Sequence, residues 1–103
     1  MSNFTIRVSE GFPQRLAIVG ELDIATSAHV DAAIAPMTGD VDVDCADLSF
    51  IDSAGFYSFD HGYEAAMTRG STFKLSSLNP FAAWIAEFLA VPYFSRAVPR
   101  LGE

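Results

Sequence analysis

The chain has 103 residues, of which thirteen are acidic and six basic, giving a formal net charge of −7. Half of the residues are hydrophobic, which places the chain among packed globular proteins and fits one domain over residues 1–103. The six cations (Arg7, Arg15, Arg69, Lys74, Arg96 and Arg100) are scattered, so direct nucleic-acid binding, which needs clustered positive charge to neutralise phosphates, is not expected.

"NFTIRVSE" (3–10) alternates, with Phe4, Ile6 and Val8 on one side, and predicts a strand with one wet face. After a "GFPQ" turn, "RLAIVGE" (15–21) is nearly continuous apolar sequence, the pattern of a strand covered on both faces. The two form an antiparallel hairpin. A first helix follows in "LDIATSAHVDAAIAPM", with Asp23 or Thr26 as its cap and Val30, Ala33, Ile34 and Met37 on one side. "VDVDCADL" (41–48) is the next strand, although Asp42 and Asp44 are unusual if both of its faces are covered. A second helix begins near Ser53 and ends at Gly70, weakened by Gly62 by about 1 kcal/mol relative to alanine. "STFKLSS" (71–77) is a strand, and "NPFAAWIAEFL" (79–89) opens a helix with Asn79 as cap and Pro80 at the first turn. "VPYFSRAV" ends the pattern as a short strand or turn. The order β-β-α-β-α-β-α predicts an α/β fold, with helices on a mixed, mostly parallel four-stranded sheet. In such sheets the loops at the carboxyl ends of the strands gather on one edge, which brings together Asp23, Asp44 and Asp52-Ser53.

The stretch "DLSFIDSAGF" (47–56) holds a polar knot among apolar residues, and Ser53 has three readings. It can cap the second helix, contributing about 1 kcal/mol. It can be a nucleophile, but that needs a base within reach, and His29 and His61 both fall inside helices away from it. It can also be a modified residue at an electropositive helix end, where an added phosphate brings about two negative charges beside Asp52. The Asp23, Asp44 and Asp52 cluster can be read as a Mg²⁺ site or as turn and strand-end acids. Cys45, the single cysteine, excludes an internal disulfide and reads as a small core residue. Phe81, Trp84 and Phe88 read as a core-facing stripe. Alternatively, an exposed subset of Phe56, Tyr57, Phe59, Trp84, Tyr93 and Phe94 forms a protein-binding patch.

"VGELDIATS" (19–27), followed by "DVDCADLSFIDSAGF" (42–56), resembles the STAS domain of bacterial anti-sigma factor antagonists. The resemblance covers nearly the whole chain in element order. It implies a protein that is not an enzyme and needs no cofactor or metal. Such a protein binds an anti-sigma factor that is also a serine kinase, and so frees a sigma factor for transcription. Phosphorylation at the first serine of the motif, here Ser53, releases the antagonist, and a phosphatase resets it. The partner-binding set implied is Asp23, Asp52, Ser53, Ala54, Gly55 and Phe56, with Gly55 allowing close approach of the partner. Three departures stand out: Ala54 replaces a second serine, Phe56 replaces a leucine, and Asp42 replaces an apolar strand residue. An alternative implied by the family is a scaffold or a nucleotide- or lipid-sensing module that is not phosphorylated. No secretory leader is visible at the start of the sequence and no apolar run reaches about 18 residues, so a cytoplasmic location without membrane contact is expected.

Overall fold

The computed structural model describes residues 3–96. Within them the order is β1 (Thr5–Ser9), β2 (Gln14–Leu22), α1 (Ser27–Ile34), β3 (Val41–Asp44), β4 (Leu48–Ile51), α2 (Ser53–Thr68), β5 (Phe73–Ser76) and α3 (Pro80–Phe88). The sheet runs β1-β2-β3-β5, with β4 also paired to β2. β1 is antiparallel to β2, and every other pairing is parallel. The α/β class and the mixed, mostly parallel sheet are as expected.

Among the described residues there are five strands, not four, because the expected strand over 41–48 breaks after Asp44. The Asp44 carboxylate accepts a hydrogen bond from the Ala46 amide at 2.9 Å, and Leu48 N–H returns to the Cys45 carbonyl. This local turn competes with the ladder and ends the strand, as aspartate side chains commonly do. The chain then re-enters the sheet as β4 beside Gly20–Leu22, whereas β3 follows Gln14–Ala17. The register shifts between Gly20 and Glu21, and Gly20 has a φ of +107°, a conformation that side chains rarely adopt.

β2 is not covered equally on both faces. Leu16, Ile18, Val41, Val43, Phe73 and Leu75 are buried, whereas Arg15, Asp44 and Lys74, on the alternate positions of the same strands, are exposed. Asp42 lies in register between Arg15 of β2 and Lys74 of β5. A charge-alternating row on an open sheet face accounts for the acid that was unusual under two-sided burial.

The core joins the sheet to α1 and α2 and includes Val30, Ile34, Phe56, Phe59 and Ala66. Gly62 is buried, and a Cβ there would lie 2.7 Å from the Phe73 ring, so its helix-weakening residue makes room for that ring. Beyond α3 the chain returns to β5, where Leu75 N–H donates to the Tyr93 carbonyl. Residues 91–96 form no strand, and the rest of the expected final element lies outside the described residues. Tyr93 is buried with edge contacts to Phe59 and Phe73, and its hydroxyl donates to Asp60 Oδ1 at 2.6 Å. Among the described residues no helix is long and apolar enough to cross a membrane.

Cys45 is fully buried, and burial, with the Asp44 charge adding to it, raises its thiol from 9.0 to about 12. Burial, followed by the Asp60 hydrogen bond and charge, also pushes the Tyr93 phenol above its ordinary value of 10. Between pH 9 and about 12 the unfolded chain loses the Cys45 proton while the folded chain keeps it, so folding stability falls as pH rises. Urea unfolding from pH 8 to 10 should show a loss approaching about 1.4 kcal/mol per pH unit above the unfolded thiol pKa, which Cys45→Ala should flatten, while above pH 10 the Tyr93 phenol adds a loss of the same sign that the variant keeps. In native protein at neutral pH, a thiol reagent should label Cys45 only after unfolding.

Candidate functional site

The two sequence motifs meet through the backbone. Asp52 N–H donates to the Leu22 carbonyl at 3.1 Å, which ties the start of α2 to the end of β2 and places Asp52-Ser53 beside the loop that follows Leu22. Asp52 has an extended backbone, and its Oδ1 accepts hydrogen bonds from Ala54 N–H at 2.9 Å and Gly55 N–H at 3.2 Å. Asp52 is therefore the N-cap, and Ser53 is the first helical residue. Capping by Ser53 is corrected by one position, because both residues are cap formers and only Asp52 has the extended backbone that caps use.

Ser53 is consequently exposed, and its hydroxyl has no hydrogen-bond partner among the described residues. It borders a cleft of about 350 Å³ lined by Phe56, Tyr57, Asp60, Leu89, Val91 and Pro92. No histidine lines this cleft. His29 borders a separate depression with Phe4, and His61 one with Ile34. The nucleophile reading thus finds no base beside Ser53.

Asp23 forms its own turn. Its Oδ1 accepts from Ala25 N–H at 2.9 Å, while the buried Thr26 hydroxyl accepts from Asp23 N–H at 2.9 Å and donates to the Glu21 carbonyl at 2.8 Å. Thr26 is the N-cap position of α1, but it makes no side-chain cap bond. Its hydroxyl closes the Glu21–Thr26 loop instead. Ser58, also buried, lies 3.3 Å from the Ser27 carbonyl and links α2 to α1. Asp44 serves its own turn, as described above. Among the described residues no group of three His, Cys, Asp or Glu side chains could hold a metal, so Asp23, Asp44 and Asp52 do not assemble into one.

Two members of the expected partner-binding set point inward. Phe56 is 5% exposed and belongs to the core. Gly55 is buried, and a Cβ there would lie 2.7 Å from Ile51 Cγ1 and 2.8 Å from Leu22 Cγ. The missing side chain thus admits the sheet, not a partner. Ala54 is half-buried and Asp23 and Asp52 partly exposed. The exposed apolar surface beside Ser53 comes instead from Tyr57 (64% exposed) and Leu89, which line the same cleft. Ile24, in the loop that follows Leu22, is 83% exposed. Phe59 and Tyr93, offered for a binding patch, are core residues, and Phe94 is half-buried.

The family described as "Mlab, STAS domain" matches residues 7–93, and the chain belongs to this STAS family. Its fold is that of the anti-sigma factor antagonists. The unphosphorylated form of the anti-sigma factor antagonist SpoIIAA is similar, with a TM-score of 0.76 at 18% identity over 91% of this chain and 89% of that one. An anti-sigma factor antagonist from Mycobacterium paratuberculosis has a TM-score of 0.71 at 17% identity, covering 85% and 79% of the two chains. An antisigma-factor antagonist STAS domain from Rhodobacter sphaeroides has a TM-score of 0.60 at 14% identity, covering 72% and 86%. No curated protein matches the sequence.

Two substitutions test this construction of the site. Thr26→Val should cost about 1–3 kcal/mol, because it leaves Asp23 N–H and the Glu21 carbonyl without their partner in a part-buried loop. Gly55→Ala should cost about 1–3 kcal/mol by overpacking against Leu22 and Ile51. Thermal melts read both as losses of several degrees or more.

Proposed function

We propose that this protein is an anti-sigma factor antagonist whose contact surface centres on the N-terminus of α2 and whose release is triggered by phosphorylation of Ser53. The observation that carries the reading is the exposed, unbonded Ser53 hydroxyl at the first turn of α2, next to the Asp52 cap and sharing a cleft with the apolar side chains of Tyr57 and Leu89. A neutral hydroxyl in that position is inexpensive to bury against a partner. The Ser53 oxygen is accessible to attack the γ-phosphorus of ATP held by an anti-sigma factor that is also a kinase. The attack forms the ester bond from Ser53 Oγ to the γ-phosphorus, breaks the bond to the ADP leaving group, and passes the hydroxyl proton to a base supplied by the kinase. A phosphatase hydrolyses the ester and resets the switch.

The geometry gives the switch its sign. A phosphate on Ser53 would look first to the amides of Ala54 and Gly55, as anions at helix N-termini do. Asp52 already occupies both. The phosphate is therefore left beside a carboxylate and without those donors, and burying it under a partner costs several kcal/mol. A loss of about 4 kcal/mol is roughly a thousandfold in affinity. Because the two acceptors are one residue apart and share one set of donors, the cap and the switch are coupled.

The test is intact-mass spectrometry after incubation with ATP and candidate anti-sigma kinases, together with binding measurements. The expected result is a gain of one phosphate that disappears in Ser53→Ala. Ser53→Ala should bind the partner whether or not ATP is present, and Ser53→Asp should bind it at least tenfold more weakly. Equal binding by both variants would overturn the switch. Tight binding without phosphate transfer would instead leave a constitutive antagonist or scaffold.

A further inference from the structure

α3 is built inside out. Its sequence, PFAAWIAEF, is apolar on all sides except for Glu87. The side that meets the protein carries the small residues Ala82, Ala83 and Ala86, each under 5% exposed. The large side chains face away: Phe81 is 66% exposed, Trp84 58% and Phe88 76%. This overturns the core-facing stripe expected from their spacing. The three rings stack along the helix, with centroids 6.3 Å and 5.8 Å apart and interplanar angles of 28° and 23°. A helix apolar on both sides is normally covered on both.

We infer that a second copy of this chain covers the ridge, through an antiparallel, two-fold pairing of α3 with α3. Three observations favour this occupant. The ridge is electrically quiet on a chain of net charge −7: α3 has one ionised residue, and Glu87 is held by Arg96. Nothing on the ridge therefore attracts a basic partner, and here two acidic copies can approach with least repulsion. The spacing of 81, 84 and 88 is that of a helix-pairing seam, and an antiparallel two-fold pairing would bring the seams of the two copies against each other. The area suits a weak self-pairing. At about 200 Å² per aromatic side chain, the three rings leave about 400 Å² uncovered on each copy. Doubled, this is about 800 Å², below the roughly 1,200 Å² of standard specific interfaces, so the dimer expected is a weak, transient one. The inference rests on α3 alone and stands whether or not Ser53 is phosphorylated.

The experiment is sedimentation equilibrium of the whole chain from about 10 μM to 1 mM at low and high NaCl, a range set by the weak dimer expected of so small an interface. Fluorescence is recorded alongside, since Trp84 is the only tryptophan. The weight-average mass should rise from 11.1 kDa towards twice that value, with a blue shift of Trp84 emission. Added salt should strengthen the association by screening the repulsion between acidic copies. Phe88→Glu and Trp84→Glu should weaken it at least tenfold, with circular dichroism and melting unchanged. Phe12→Ser, at a fully exposed aromatic in the β1–β2 turn, should not. If a glutamate variant fails to fold, Phe81→Ser and Phe88→Ser take its place. A chain that stays at 11.1 kDa at 1 mM and high salt would overturn the inference and leave the ridge to a different protein. A dimer that survives both glutamate substitutions would overturn it too.

Discussion

One backbone hydrogen bond, from Asp52 N–H to the Leu22 carbonyl, ties together the two segments of the candidate site. It can form only because α2 begins almost in contact with the sheet, and that closeness depends on Gly55 having no side chain to strike Leu22 and Ile51. The "GELD" and "DSAG" segments are far apart in sequence and have no side-chain reason to associate. They are neighbours because β2 and β4 run parallel and end together. Once Asp52 is fixed there, its carboxylate turns onto the first amides of α2, and Ser53 is left outside with its hydroxyl unused.

That arrangement assigns separate roles to residues that look alike in the sequence. Asp52 satisfies the helix, Asp23 satisfies its own turn, and Asp44 satisfies a third turn that divides one strand into two. Each acid is committed to nearby backbone amides. A cation would have to compete with those bonds, which is a physical reason why three aspartates at one sheet edge need not form a metal site. Ser53 differs because Asp52 has taken the amide donors that would otherwise hold its hydroxyl.

Much of the fold was legible in the sequence because it depends on signals with a clear period or a clear cap. The hairpin, the element order and the Asn79-Pro80 helix start all depend on such signals, and Asn79 Oδ1 does accept the Ala82 amide at 2.8 Å. What was not legible depends on choices between near-equals. Asp52 and Ser53 are both good caps, and a one-residue offset is decided by backbone angles set by β4. Asp42 looked misplaced until the partner strands put Arg15 and Lys74 on either side of it. Phe56 and Tyr57 are adjacent aromatics, one buried and one exposed, and only the helical phase separates them. In α3, periodicity fails altogether. When eight of nine residues are apolar, the pattern does not say which side faces in, and the usual guess that the largest side chains fill the core is wrong where alanines allow the helix to sit close.

The same facts divide the surface into two regions of opposite character. Around Ser53, the exposed side chains of Tyr57 and Leu89 are mixed with the neighbouring Asp52 and with Asp60, and a further negative group there would change the local potential sharply. Along the outer side of α3 the rings present apolar area with almost no charge. Leu89 stands between the two regions, since it follows α3 and also lines the cleft beside Ser53. The proposed switch at Ser53 and the proposed contact at α3 are therefore adjacent but physically distinct. Salt would weaken the first and strengthen the second, because one would depend on charge and the other on its absence.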